Sequence, residues 1–240
     1  MRAAKGVLLR RGYAVLDAPS QEATHLLLPV PSFDTDGSVK GGESLSDLLS
    51  QLSGDVTVIG GGLCHPALAG HPTADLLQDP FYTAQNAAIT AHCAIGLAME
   101  HLPVTLDECP VLVIGWGRIG KCLSQLLKGL HAEVTVAARK DSDRQMAYAL
   151  GYQAEAIQHL HRTLDRYRLI FNTVPAPVLS QELVSLCRAD CVKIDLASVP
   201  GIAGRDVLWA RGLPGKNAPE SSGKLIAQAV IRLLSGEETS

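Results

Sequence analysis

The stretch Val111-Leu112-Val113-Ile114-Gly115-Trp116-Gly117-Arg118-Ile119-Gly120 limits the fold of this chain more than any other. A short apolar, β-branched run ends at Gly115, and Gly117 and Gly120 complete a Gly-x-Gly-x-x-Gly spacing. Leu123, Leu126, Leu127 and Leu130 follow at helical spacing, so the glycines lie in a strand–turn–helix context. In that context Gly115 permits the tight turn, Gly117 lets the backbone approach a pyrophosphate, and Gly120 lets helix and strand pack closely. A helix beginning near Arg118 turns its free N–H groups and the positive end of its dipole towards an anion. Gly115, Trp116, Gly117, Arg118, Ile119 and Gly120 are therefore the first candidate contacts to a dinucleotide. A tight strand–helix turn that binds nothing would carry the same glycines.

In such folds the second strand usually ends, about 20 residues past the glycines, in a carboxylate that binds the ribose hydroxyls of NAD. Here that strand reads Glu133-Val134-Thr135-Val136-Ala137-Ala138-Arg139-Lys140, and its carboxylate, Glu133, stands at the wrong end. Arg139 and Lys140 occupy the carboxyl end instead. A carboxylate would repel a 2′-phosphate, whereas a guanidinium can clamp one bidentately. The expected cofactor is NADP(H), held through Arg139 and Lys140. The plainer alternative is a solvated basic turn.

At 240 residues the chain has room for one large domain or two small ones. A formal charge of −3 leaves no broad field for nucleic acid. The longest apolar candidate for a membrane span, Ala84 to Met99, is interrupted by Gln85, Asn86, Thr90 and His92. Met1 to Arg11 is basic and amphipathic without a cleavage site, so no secretory signal is read. Cys64, Cys93, Cys109, Cys122, Cys187 and Cys191 show no C-x-x-C spacing. Cys187 and Cys191 lie four apart in a stretch with no His to complete a zinc site, so no metal is expected. Buried thiols in a reducing cytoplasm are the expectation.

The spacing of apolar residues predicts a helix over 2–11 and strands over Tyr13–Leu16 and Thr24–Leu28. A loop over Ser32–Gly42 follows, then a helix through Leu45, Leu48, Leu49 and Leu52 and a strand Val56–Ile59 running into Gly60-Gly61-Gly62. A long helix rich in small residues follows over 83–101. After the fingerprint come strands at Val134–Ala138, Leu169–Asn172 and Val192–Leu196. Helices are expected at Asp141–Leu150, around Gln181–Cys187, near Ala203–Arg211 and over Glu220–Leu234. Strand–helix alternation indicates α/β architecture with parallel sheets. The predicted fold is two parallel-sheet domains, a Rossmann domain and a smaller, N-terminally shortened flavodoxin-like one, joined by a long helix. The expected limits are 1–82 for a substrate or partner domain, 83–105 for the interdomain helix and 106–215 for the Rossmann domain. Residues 216–240 are expected as a C-terminal helix packing back on the first domain. The chain opens on a helix, so the first sheet lacks the strand that usually precedes it. Translation read from an internal Met is favoured over a naturally short domain.

The later loops carry a recognisable set: Phe171-Asn172-Thr173-Val174-Pro175, Ile194-Asp195-Leu196-Ala197-Ser198-Val199-Pro200-Gly201, Gly212-Leu213-Pro214-Gly215 and Ala218-Pro219. With the glycine fingerprint, they give a chain that resembles the A subunits of bacterial dipicolinate synthase, closely from about Asn86 onward and more loosely before. The resemblance implies a two-domain fold like that of the D-2-hydroxyacid dehydrogenases. It further implies oxidation of dihydrodipicolinate, or its hydrated tetrahydro form, to pyridine-2,6-dicarboxylate, the calcium chelator of endospores. NADP⁺ would accept the hydride, and the partners would be further copies of this chain and a flavoprotein-like B subunit. The implied location is the cytoplasm of the mother cell of a spore-forming bacterium. Two departures from the family stand out: the missing first strand, and His92 in Thr90-Ala91-His92-Cys93, where a Thr-x-Glu-Gly stretch would carry Glu.

Oxidation of a dihydropyridine needs loss of a hydride and a proton, and aromatisation drives it, so positioning matters more than a strong base. Thr90, His92 and Ser198 are the candidate catalytic residues. His92 would handle a proton or a substrate carboxylate, against the blander reading of a satisfied helix histidine. Ser198 would contact substrate or carboxamide. Asn172, Thr173, Val174 and Pro175, at the end of one strand, and Leu196 and Ala197, at the end of the next, are further candidate cofactor contacts. Asp195 could instead pin its loop by accepting backbone N–H bonds. For the substrate's two carboxylates the candidates are the start of the final helix (Glu220 to Gly223), Arg118 and Lys216. A D-2-hydroxyacid dehydrogenase would need a late general-base His, and no His follows His161. The other alternative is an NADP-binding subunit, or inactive copy, that only organises a partner, with the Gly41–Gly42 loop and the long helix as docking surface.

Overall fold

The computed structural model describes residues 1–42 and 44–236. The chain divides into two compact units, one of Met1–Asn86 with the segment from Pro219 onward, the other Ala87–Ala218.

The first unit starts with α1 (Arg2–Arg10), whose Ala4 and Leu8 are buried. Tyr13–Leu16, expected as a strand, is not one: it lies in irregular chain, with no ladder partner among the described residues. Extended backbone becomes a strand only where a neighbour takes its N–H and C=O groups. β1 (His25–Leu27) and β2 (Thr57–Gly60) flank α2 (Leu45–Ser50), which Ser44 caps through the Asp47 N–H. β3 (Thr73–Asp75) completes a parallel sheet in the order β1-β2-β3. Leu28, Leu45, Leu48, Val58, Leu63 and Leu68 form its core. β3 escapes a reading of apolar pattern because Thr73-Ala74-Asp75 has no apolar alternation; pairing with Val58, Ile59 and Gly60 makes it a strand.

The loops at the carboxyl ends of these strands are tied by side chains. Buried Ser32 accepts the Gly61 N–H at 2.9 Å and donates to the Pro29 carbonyl at 2.8 Å. Asp75 accepts the N–H groups of Gly62, Leu63 and Leu77 at 2.9, 3.1 and 2.9 Å. Gly60 and Gly61 make room for the fold's own side chains. A Cβ at Gly60 would strike Ser32, and one at Gly61 would lie 2.6 Å from Val30.

α3 (Pro80–His101) begins three residues before the expected start, because the Asp79 carboxylate caps it through the Phe81 N–H at 2.9 Å. The second unit then alternates β4 (Pro110–Ile114), α4 (Arg118–Gly129), β5 (Glu133–Ala138), α5 (Asp141–Ala149) and β6 (Gln153–Ala156). It continues with β7 (Leu169–Asn172), α6 (Gln181–Val184), β8 (Val192–Asp195), β9 (Val207–Trp209) and α7 (Leu213–Asn217). The sheet is wholly parallel in the order β6-β5-β4-β7-β8-β9. Numbered within the unit, that is 3-2-1-4-5-6, the doubly wound Rossmann order.

Both faces are apolar. Val111, Val113, Val134, Val136 and Phe171 pack with Leu123 and Leu127 of α4 and with Ala91, Ala94 and Ala98 of α3. Leu112, Ile114, Ala137 and Ile170 face Leu160, Leu164, Leu179 and Ile202 on the other side. The small residues of α3 thus serve close packing on the sheet. The helix expected near Ala203–Arg211 is replaced by β9, since Gly204 at φ +124° breaks any helical run and Val207–Trp209 pairs with Lys193–Asp195. β6, Gln153-Ala154-Glu155-Ala156, is too polar to be read as a strand and is made one by β5.

α8 (Pro219–Ser235) returns to the first unit and packs on α1, where Gly223 abuts Ala3 and Ala4. A Cβ at Gly223 would lie 2.6 Å from the Ala3 Cβ and 2.9 Å from the Ala4 nitrogen. Gly223→Val is expected to separate α1 from α8 at a cost of about 2 kcal/mol. Limited proteolysis should then cut near Arg10 and Arg11 faster than in the parent protein; an unchanged cleavage rate would refute this packing role.

Candidate functional site

The strand order reverses between β4 and β7, and in open α/β sheets ligands bind outside the carboxyl ends of the strands at such a point. Gly115 follows β4 there and Thr173 follows β7. Gly115 has φ +107°, a conformation that favours glycine, and a Cβ on it would strike Thr173 Oγ1. A Cβ on Gly120 would strike the Gly115 carbonyl, so the first turn of α4 lies directly on the turn after β4. Gly117 is different: nothing lies within 4 Å of where its Cβ would be. Two glycines are required by the protein's own packing, and the third faces open space, where the chain's backbone can be approached closely.

Gly117 is the N-cap of α4, with no side-chain cap and no acidic residue in the first turn. The N–H groups of Arg118, Ile119 and Gly120 are left for an anion. Arg118 is exposed and Ile119 half-buried. Trp116 is 9 % exposed, its ring packed edge-on to Tyr152 at 5.8 Å, so it offers the site backbone rather than indole.

Arg139 and Lys140 are exposed at the carboxyl end of β5, and no hydrogen bond or ion pair occupies either side chain among the described residues. Arg144 holds the backbone that presents them. Its guanidinium donates to the carbonyls of Ala138 and Arg139 at 3.0 and 2.8 Å and pairs with Asp141 at 2.8 Å. Sequence reasoning missed Arg144; the signal was the i, i+3 Asp141–Arg144 spacing on α5.

Asp195 and Asn172, both fully buried, tie the loops beyond β7 and β8 together. The Asn172 amide donates to Asp195 Oδ1 at 2.9 Å and to the Val174 carbonyl at 3.0 Å, while its oxygen accepts the Val174 N–H at 3.0 Å. Asp195 also accepts the N–H groups of Ala197, Gly201 and Ile202 at 3.1, 2.6 and 3.0 Å. Both amide hydrogens of Asn172 are committed, so its side chain positions the turn instead of reaching a ligand. Leu196 and Ala197 likewise have committed N–H groups, the first to the Asn172 carbonyl at 2.9 Å, and the Ala197 carbonyl accepts from the Trp209 indole at 3.0 Å. They hold the loop and have no amide to offer a cofactor. Gly201 allows close approach, but to the 174–176 turn of the protein itself.

Thr173 and Val174 are half-buried against Gly115, and Pro175 is exposed beside them. Thr173 Oγ1 donates to the Ile114 carbonyl at 3.0 Å, fixing the turns after β4 and β7 to each other. Of the candidate catalytic residues, Thr90 is 8 % exposed while His92, two positions along α3, is on its solvent side. Ser198 is exposed in the loop after β8. Among the described residues no group of His, Cys, Asp and Glu could hold a metal ion, and no helix is long and apolar enough to cross a membrane.

No family model matches the chain. The A subunit of dipicolinate synthase from Bacillus subtilis strain 168 is 27% identical over 237 residues, covering 91% of this chain and 80% of that protein. The chain resembles dipicolinate synthase A subunits. The solved structure of the corresponding protein from Bacillus halodurans superposes with a TM-score of 0.80 at 24% identity, covering 91% of this chain and 82% of that one. L-alanine dehydrogenase shares the fold at a TM-score of 0.68 and 10% identity, covering 96% of this chain and 77% of that one. The Rossmann-type dehydrogenase architecture is thus common to this chain, the synthase protein it resembles and a dehydrogenase of distant sequence.

Two substitutions separate packing from binding. Gly117→Ala should fold with an unchanged thermal midpoint yet weaken dinucleotide binding at least about tenfold, because the methyl meets only the ligand. Calorimetric titration would show this, and unaltered affinity would remove Gly117 from the site. Asp195→Ala leaves buried N–H groups unpaired and should lower stability by about 3 kcal/mol in urea unfolding, with faster hydrogen exchange at Gly201 and Ile202.

Proposed function

We propose that this chain oxidises dihydrodipicolinate, or its hydrated tetrahydro form, to dipicolinate, with NADP⁺ as the hydride acceptor. The observation that carries the reading is the glycine turn at the switch point with uncommitted Arg139 and Lys140 where an NAD enzyme would place a carboxylate. The similarity to a dipicolinate synthase A subunit over 91% of the chain supports the substrate class. Production of an endospore component in the mother cell, as a homo-oligomer working with a flavoprotein-like B subunit, belongs to the same proposal.

The residues fit the cofactor. The amides of Arg118, Ile119 and Gly120 would take the pyrophosphate over Gly117, and Arg139 and Lys140 the 2′-phosphate. Thr173, Val174 and Pro175 would form the wall beside them. The nicotinamide, when bound, supplies the hydride acceptor. The chain's task is orientation, since aromatisation supplies driving force once the ring carbon is correctly placed. Ser198, exposed beyond β8, can donate a hydrogen bond to the substrate or to the carboxamide. His92, exposed on α3, can take the released proton or pair with a carboxylate. Thr90, the third candidate, lies on the buried side of the same helix and would position its neighbours.

A second reading, an NADP-binding subunit that organises a partner without turnover, is favoured by the burial of Thr90 and by His92 where the family would carry Glu. Incubating purified protein with fresh dihydrodipicolinate and NADP⁺, with and without a B subunit, separates the two. NADPH and dipicolinate appearing together are expected; NADP⁺ binding without turnover in either mixture would favour the second reading. Arg139→Ala with Lys140→Ala should raise the Kd for NADP⁺ about 100-fold and leave NAD⁺ nearly unchanged, as two charge-assisted contacts are lost. Equal losses for both cofactors would defeat the 2′-phosphate assignment.

A further inference from the structure

β9 ends in a tryptophan that the fold leaves half in water. Trp209 pairs across the ladder with Asp195, and the Ala210 N–H donates to the Asp195 carbonyl at 2.8 Å. In a wholly parallel sheet, β9 therefore ends at the same edge as the glycine turn. The Trp209 indole N–H donates to the Ala197 carbonyl at 3.0 Å, which ties the ring to the loop after β8. Ser198, Val199 and Pro200 follow that carbonyl and are exposed. The Arg211 guanidinium stands over the indole, 5.6 Å from its centroid. Even with these neighbours Trp209 is 48 % exposed, whereas Trp116 is buried. A large apolar side chain left in water at the edge where open sheets bind ligands points to a ligand that covers it.

The charge around the ring has one sign. From Trp209 to Ala218 the chain carries Arg211 and Lys216 and no acid. Among the described residues no hydrogen bond or ion pair occupies the Arg211 guanidinium. Asp195, the carboxylate across the ladder, is committed to the Asn172 amide and three backbone N–H groups. A guanidinium over an aromatic face keeps its planar fork of N–H donors for an anion. The nicotinamide ring of NADP⁺ is cationic, so Arg211 repels it and suits an anionic ring instead.

We propose that Trp209 and Arg211 form the subsite for a planar ring that bears a carboxylate. The ring stacks on the exposed part of the indole, and the guanidinium takes the carboxylate through two N–H donors. Ser198, next to the carbonyl that fixes the indole, donates a hydrogen bond to the same ligand. The assignment rests on the reaction proposed above and names the residues that recognise its dicarboxylate ring. Neither residue is legible as a site in the sequence, where Val207-Leu208-Trp209 falls in a stretch that reads as helix.

The test uses the whole chain saturated with NADP⁺, with pyridine-2,6-dicarboxylate as the probe. Acrylamide, an uncharged quencher, should reach Trp209 and spare buried Trp116, and the probe should abolish that quenching. Glutarate, whose carboxylates are the same number of bonds apart without a ring, serves as the second probe. In calorimetric titration Arg211→Gln should raise the Kd for both probes at least about tenfold. Trp209→Ala should raise the Kd for the ring probe about tenfold and leave that for glutarate unchanged. The Kd for NADP⁺ should not move in either variant. Quenching of Trp209 that persists in the probe-saturated parent would overturn the inference, whether or not the variants fold. Failure of the parent to bind the ring probe, or variants that bind it as the parent does, would do the same. NADPH formation from dihydrodipicolinate would then still uphold the proposed reaction. A Trp209 shielded by the probe in a protein without turnover would uphold the subsite and overturn the reaction.

Discussion

A buried carboxylate organises the carboxyl edge of the sheet in the second unit. Asp195 has no exposed surface, and its oxygens accept from the Asn172 amide and from three backbone N–H groups in the loop beyond it. A buried carboxylate is tolerated only when its lone pairs are filled, so the loop from Ala197 to Ile202 must close around it. Asn172 is drawn into the same knot and fixes Val174, and Thr173 is bonded in turn to the end of β4. The turn against which the glycines pack is thereby held by the protein's own hydrogen bonds. Groups held in place in advance meet a partner without the cost of ordering them.

The first unit uses the same device on a smaller sheet. Asp75 at the end of β3 gathers three N–H groups, and Ser32 bridges the loop after β1 to Gly61. In both units the strands are parallel, so the loops with exposed backbone collect at one edge, and polar side chains at the strand ends hold them. Glycines there serve two ends. Gly60, Gly61, Gly120 and Gly201 admit the protein's own atoms, and Gly117 admits none. What separates these glycines is what occupies the space a Cβ would fill.

Much of the second unit is legible in the sequence because its signals are local. The β-branched run through Ile114 is a buried strand, the leucines from Leu123 mark the face of α4, and Arg139 and Lys140 follow β5 by simple succession. β3, β6 and β9 are not legible, since Thr73-Ala74-Asp75 and Gln153-Ala154-Glu155-Ala156 have no pattern of their own and Val207–Trp209 lies where the pattern predicts helix. Each is a strand because a neighbouring strand already presents a ladder. Tyr13–Leu16 fails for the converse reason: a strand-like sequence with no ladder partner among the described residues stays irregular.

By itself the sequence determined the succession of strands and helices around the fingerprint, the glycine spacing and the charge at the end of β5, for these depend on neighbours within about ten residues. Only the tertiary structure decided that Asn172, Leu196 and Ala197 hold loops and that Arg144 anchors the basic pair. The physical reason is that a polar group's role is set by whether its hydrogen-bond capacity is already filled, and the partners that fill it come from other strands.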